Sequence, residues 1–523
     1  MTKIADRVQF GIPEKLKGKY EEKLFQFSKI IEEIEKIPDN GDSFKPAKGR
    51  DKGHRPTGGE NSHNQWAWKC NISHEGNRPR DGECLNSREQ EKLRGKTVAI
   101  KDSIAVAGVP MTCGNSSLKD FVPSSDAVVV SRILAAGATI VGKAVCENMS
   151  HSQFSQTGFL GPTLNPYDKS RTSGGSSSGN AVALALREVE MGVGTDNGCS
   201  VRVPAALCGC VGLKPTFGLV PVEGVGPSMR ATNHFGPMAS NVEDCALLLD
   251  VISGPDMFSN PTSVAFTKPN SYLDEINLGV NKIKAGVIKE GFLYEDENTK
   301  NVSETVLKTI DQLKNQGMQL EEISIPELIE AKSLYYLLSM LEIAHVFENN
   351  GQPYAGRQAT MIDLKRAFKD LKVDANLPQN TQIAMIASKL FAERISTENI
   401  FEKAMNRSKV LSEKIENLLA KYDVFILPTT PYVAPKLPQE NENYIEAHVP
   451  MNVNCCLFNL TGHPAISVNC GFVQPQEGDD KRTDMPVGMQ IVSRYMQESK
   501  VLRVAKTVEE LVGRRTVFIN QEK

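Results

Sequence analysis

The chain has 523 residues, 40% hydrophobic and 24% charged, enough for one large domain or two to three smaller ones. A net charge of −3 and a pI near 6.3 exclude the basic surface that nucleic acid or an anionic membrane would require. The N-terminus lacks a basic-then-apolar leader, and no run of about 18 apolar residues occurs, so a cytoplasmic protein with no nucleic-acid or membrane partner is expected.

Eleven cysteines without paired zinc-ligand spacing read as reduced, mostly buried thiols, and neither a metal nor another cofactor is implied. Residues 14–36 place Leu24, Phe25, Phe27, Ile30, Ile31 and Ile34 at helical spacing among charges, which predicts one amphipathic helix or a pair. Residues 38–64 are polar and rich in Gly, Pro and charge, as in an extended linker or long surface loop. Residues 1–90 thus form an N-terminal helical extension and linker, whose apolar helix face suits packing against a partner subunit.

From residue 95 strands and helices alternate. KTVAI (96–100) is a β-branched strand ending at Lys101. Residues 126–136 predict a helix with Asp126 as N-cap and Gly137 as its stop, and ATIVGK (138–143) a strand. A helix over about 179–189 and a strand at 191–195 follow. Residues 300–422 are largely helical in pattern, strands return at 423–429 and 465–472, and a last helix spans 498–513. The alternation implies an α/β fold whose sheet is covered by helices, with functional groups where strands end and loops begin.

Two loops carry chemistry. Gly174-Gly175-Ser176-Ser177-Ser178-Gly179 leads into a helix, so its glycines and hydroxyls gather at a helix N-terminus. Asp196-Asn197-Gly198-Cys199-Ser200 follows a strand and precedes Pro204, which suits the first turn of another helix. Such a turn exposes a serine while backbone N–H groups converge, as an oxyanion hole requires. Taken alone, the first loop equally fits a flexible or phosphate-binding loop. There is no GxxxxGK[ST] and no GxSxG around Ser200, so a Walker A loop and a hydrolase elbow both fail.

Together the loops resemble the amidase signature family, almost unbroken across 172–216 and more broadly over 95–255. The resemblance implies a Ser–cis-Ser–Lys triad. Its lysine ends the stretch Val98-Ala99-Ile100-Lys101-Asp102, its cis-serine is Ser176, and its nucleophile is Ser200, ahead of Val201-Arg202-Val203-Pro204-Ala205. Similar stretches recur as GLKPTFGLVP, DVFILPTTP, NLTGHPAISV and MPVGMQIV. They imply a single large catalytic domain over 91–515, a mixed β-sheet core with helices on both faces, and a mainly helical substrate-side region at 300–420. The chain looks most like bacterial broad-specificity amidases, which implies a homodimer acting on a small-molecule amide. Cys199 and Ser178 stand where the family commonly has glycine.

None of the eight histidines falls in the two loops, which disfavours a Ser-His-Asp triad, and His151 and His234 read as structural or pocket-lining. Lys101 can be a base only when neutral, so burial should lower its pKa and Asp102 should face elsewhere. Asn197, Gly198, Cys199 and Ser177 are the oxyanion and substrate-binding candidates. Asp196 and Arg202 are either a surface pair or, as the family implies, the support of the loop. The expected function is amide hydrolysis through an acyl-enzyme on Ser200. Alternatives are the glutaminase-type amidase subunit of a tRNA-dependent amidotransferase and a non-catalytic scaffold on the same fold.

Overall fold

The structure is a computed structural model and describes residues 14–36, 49–73, 91–226, 231–255, 269–293, 297–348, 362–369, 377–437, 451–475 and 483–513. Its contacts divide the chain into two units, Met1–Lys45 and Pro46–Lys523. Among its described residues the first holds one α-helix, α1 (Lys17–Glu35), entered through a 3-10 turn at Glu14–Leu16. Leu24, Phe25, Phe27, Ile30, Ile31 and Ile34 lie along it at the predicted spacing, and none is buried.

The second unit opens with β1 (Trp66–Ile72), which the sequence pattern places in an appendage ending near residue 90. It is instead an edge strand of the main sheet, pairing antiparallel with residues 140–144. Tertiary anchors explain the difference. Trp66 is buried, its indole N–H donates to Glu188 at 2.5 Å, and Arg50 meets Asp126 at 2.7 Å. Of the expected linker, residues 38–48 lie outside the described residues.

The chain continues through β2 (Thr97–Lys101), α2 (Val128–Ala135), β3 (Thr139–Ala144), α3 (Ser178–Ala185) and β4 (Met191–Asp196). Next come α4 (Arg202–Cys208), β5 (Val211–Lys214), β6 (His234–Ala239), α5 (Val242–Ile252), β7 (Lys284–Ile288), α6 (Glu297–Asn315) and β8 (Gln319–Ile323). The helical stretch comprises α7 (Glu327–Glu348), α8 (Ile362–Lys369), α9 (Gln379–Leu390), α10 (Ala392–Thr397) and α11 (Ile400–Leu419). The chain closes with β9 (Val424–Pro428), α12 (Cys456–Leu460), β10 (Ala465–Val473), β11 (Met485–Ser493) and α13 (Glu498–Val512).

These strands form one mixed sheet in the order β1-β3-β2-β4-β6-β5-β10-β11-β9-β7-β8. Pairing is parallel where β2 meets β3 and β4, and where β7 meets β8 and β9; the other pairs are antiparallel. Both faces are covered, as β2 illustrates. Val98 and Ile100 join the core beneath α2 and α5, while Ala99 between them joins the core beneath α3. The architecture is one large α/β domain of the expected kind.

Two local expectations fail for tertiary reasons. Asp126 does not cap α2: its carboxylate takes the Arg50 guanidinium at 2.7 and 2.9 Å and the Ala107 N–H at 2.8 Å, leaving Ala127 as N-cap. A charge-assisted pair outweighs a cap hydrogen bond. α3 stops at Ala185 rather than near 189, and Glu188 beyond it is drawn to Gln65 and Trp66. The predicted stop of α2 at Gly137 holds, with φ +87°.

Candidate active site

The site grows from the parallel pairing of β2 with β4, which brings Lys101 and Thr195 to the carboxyl ends of neighbouring strands. Lys101 is fully buried, and its Nζ lies 2.7 Å from both Ser176 Oγ and Thr195 Oγ1. Burial lowers its pKa to about 8, while the carboxylates of Asp196 and Glu147 pull the other way. Asp102 faces away as expected. One carboxylate oxygen accepts the Thr112 N–H at 3.0 Å and the other lies 3.3 Å from Lys143 Nζ.

The Gly175–Ser176 peptide bond is cis. The Ser177 N–H donates to the Ser200 carbonyl at 3.2 Å, which laces the two serine loops together. Ser177 itself is fully buried, with its hydroxyl turned to the Thr195 carbonyl at 3.4 Å, so it links loops and does not face the space beside Ser200. Ser200 and Cys199 open onto a cavity of ≈ 400 Å³. Among the described residues, none of the backbone N–H groups of Asn197, Gly198, Cys199 or Ser200 donates to a backbone acceptor. Four donors beside a serine at the start of α4 are what a developing oxyanion needs.

Asp196 and Arg202 are no surface pair; both are completely buried. Arg202 grips the carboxylate with Nε and a terminal nitrogen, each at 2.9 Å, and its other N–H groups reach the Cys455 carbonyl at 3.0 Å and Gln490 Oε1 at 2.8 Å. Asn459 donates to the same carboxylate at 2.8 Å, and the Val201 N–H at 3.2 Å. Burial alone would raise Asp196, but Arg202 and Asn459 outweigh it and hold the carboxyl well below the ordinary range. The loop that carries Ser200 is thereby clamped at both ends.

His151 lines the cavity, while His234 is buried against the Thr232 carbonyl at 2.7 Å. Burial lowers both, His151 to about 4. Burial also keeps the Cys199 thiol well above its usual value, so it is protonated at neutral pH. Ten cysteines are described, all free and buried, and no group of three His, Cys, Asp or Glu side chains among the described residues could hold a metal. No described helix is long and apolar enough to cross a membrane.

Sequence reasoning missed Thr195, an ordinary strand residue whose role depends on which strand lies beside it. It also missed the cavity wall, where α7 supplies Tyr335, Tyr336 and Ser339 and α9 supplies Asn380 and Ile383. The expectation of a substrate-side helical region at 300–420 pointed there, and within it the Met, Leu and Tyr abundance of 334–345 reads either as an apolar acyl site or as plain core.

The family model described as Amidase matches residues 66–502. The chain belongs to the amidase signature family. It is an enzyme that cleaves amide C–N bonds. The match begins at Trp66, in agreement with β1 as part of the main sheet. A glutamyl-tRNA(Gln) amidotransferase subunit of Methanosarcina barkeri is 32% identical over 422 residues, covering 80% of this chain and 85% of the relative. The subunit of the same name from Natranaerobius thermophilus is 32% identical over 435 residues, covering 83% and 85%. The crystal structure of its namesake from Thermotoga maritima superposes with a TM-score of 0.65 at 28% identity, over 82% of this chain and 86% of that one. This amidase therefore resembles proteins named as one subunit of a larger enzyme. That overturns the expectation of a homodimer acting by itself on a small-molecule amide.

Proposed function

We propose that this amidase cleaves its carboxylic amide through an acyl-enzyme on Ser200, with Lys101 as the base and Ser176 as the relay. The observation that carries the reading is the 2.7 Å contact between Lys101 Nζ and Ser176 Oγ in a fully buried site. Neutral Lys101 takes the Ser176 proton as Ser176 takes that of Ser200, and Ser200 Oγ attacks the amide carbonyl. The oxyanion is held by backbone N–H groups of residues 197–200. As the C–N bond breaks, the proton returns through Ser176 to the departing nitrogen, and water then cleaves the ester by the reverse route.

The setting we propose is that of a glutaminase-type amidase subunit in a tRNA-dependent amidotransferase, with the released ammonia consumed by a partner subunit in the cytosol. Its support is the name shared by relatives 32% identical over four-fifths of the chain. The test is glutaminase activity of the protein co-purified with its partner. Ser200→Ala is expected to abolish ammonia release, and the partner to be required for full activity. Turnover above about a tenth of wild type in Ser200→Ala would remove the nucleophile assignment, since losing an activated nucleophile costs orders of magnitude more. Full glutaminase activity of the isolated chain would remove the partner.

A further inference from the structure

Gly198 lies two residues before Ser200, and a ring presses on it. A Cβ built there would fall 2.2 Å from Cζ and 2.4 Å from Oη of Tyr335, so the phenol occupies the space that any side chain would need. Tyr335 comes from α7, 137 positions further along the chain, and lines the same cavity as Ser200.

A chain of neutral groups lines the cavity beside the ring. Asn380 Nδ2 on α9 lies 2.5 Å from the His151 carbonyl and 3.2 Å from His151 Nδ1. An amide nitrogen only donates, so Nδ1 is the acceptor and the imidazole proton sits on Nε2. Nε2 then donates to Ser339 Oγ at 3.1 Å. Ser339 sits one helical turn beyond Tyr335 on α7, where its hydroxyl works against the upward push that burial gives the phenol. Burial keeps His151 neutral above about pH 4, so the polarity of the chain is fixed at working pH.

We propose that Tyr335 is the positioning residue of the nucleophile loop: its ring, braced through Ser339, His151 and Asn380, seats the peptide at Gly198 so that the N–H groups of residues 197–200 converge beside Ser200. The proposal rests on the acyl-enzyme reading above. It accounts for a glycine at 198, because the ring and a side chain cannot share the space. It also gives His151 a task other than that of a base.

The test compares Tyr335→Ala and Tyr335→Phe in the protein with its partner, following kcat, KM and the rate at which a fluorophosphonate probe modifies Ser200. A misplaced donor weakens stabilisation of the oxyanion, which one donor supports by about 10²- to 10³-fold. Tyr335→Ala should therefore lower kcat and the probe rate together by about tenfold or more, with KM little changed. Tyr335→Phe keeps the ring on Gly198 and should recover most of the loss. An unchanged kcat in Tyr335→Ala, or a loss confined to KM, overturns the positioning role. If Tyr335→Ala does not fold, Tyr335→Leu is read by the same criteria. Turnover that survives in Ser200→Ala overturns the underlying acyl-enzyme reading instead.

Discussion

If Lys101 acts as a neutral base, activity must follow its deprotonation. Burial lowers its pKa from 10.5 to about 8, a difference worth roughly 3 kcal/mol at 1.36 kcal/mol per pH unit. The neutral fraction is then about one tenth at pH 7, half at pH 8 and nine-tenths at pH 9. The active form is the deprotonated one, so kcat/KM should rise about tenfold from pH 6 to 7, about fivefold from pH 7 to 8, and level off above pH 9. The assay is ammonia release between pH 6 and 10 at saturating and subsaturating amide. Burial also pushes Glu342 on α7 up to about 8, so Glu342→Gln is the control: the midpoint must stay where it is. Lys101→Arg keeps a long cationic side chain that cannot surrender its proton, and should cost about 10²- to 10⁴-fold at every pH. A flat profile, a midpoint that moves with Glu342→Gln, or more than about a tenth of activity in Lys101→Arg would refute the reasoning, since general-base loss is larger than that.

Two further outcomes are expected. A fluorophosphonate probe should modify Ser200 and leave Cys199 unmodified at neutral pH, because burial keeps that thiol protonated; peptide mapping decides, and an adduct on Cys199 would move the nucleophile. Arg202→Met leaves Asp196 as an uncompensated buried charge and should cost about 3–5 kcal/mol in urea unfolding; a loss below about 1 kcal/mol would show that the loop is held by other contacts.

What the sequence revealed depended on whether a segment's neighbours were local. β2, β3 and β4 were legible because buried parallel strands read as apolar, β-branched runs, and α13 because its apolar positions recur at helical spacing. β1 was lost because Trp66, Trp68 and Lys69 sit in a polar context, and only pairing with β3 makes them a strand. β8 reads QLEEI, a charged edge whose exposed side chains conceal it, and it was absorbed into the helical stretch. The same division runs through the site. Ser176 and Ser200 stand in loops with their own glycine and proline punctuation, and so could be found. Thr195, Gln490 and Asn459 reach Lys101 and Arg202 only through strand order and the docking of α12, which no local pattern encodes.

The interior around Ser200 also shows why burial alone does not decide charge. Arg202, Lys101 and Lys214 are all fully buried within one region. Arg202 keeps its proton because a bidentate carboxylate, a backbone carbonyl and two side-chain amides saturate its fork. Lys214 has carbonyl acceptors at 2.6 and 3.0 Å and, among the described residues, no ion pair; burial with Arg202 nearby outweighs the Asp196 and Glu498 carboxylates and holds it well below the ordinary range. Lys101 has hydroxyls as its two near partners, and of the two carboxylates that act on it, Asp196 is paired with Arg202. The Asp196–Arg202 clamp therefore does two things at once. It fixes the loop that carries Ser200 and it holds the Asp196 carboxylate on Arg202, while burial lowers Lys101 to about 8, the value that the proposed base requires.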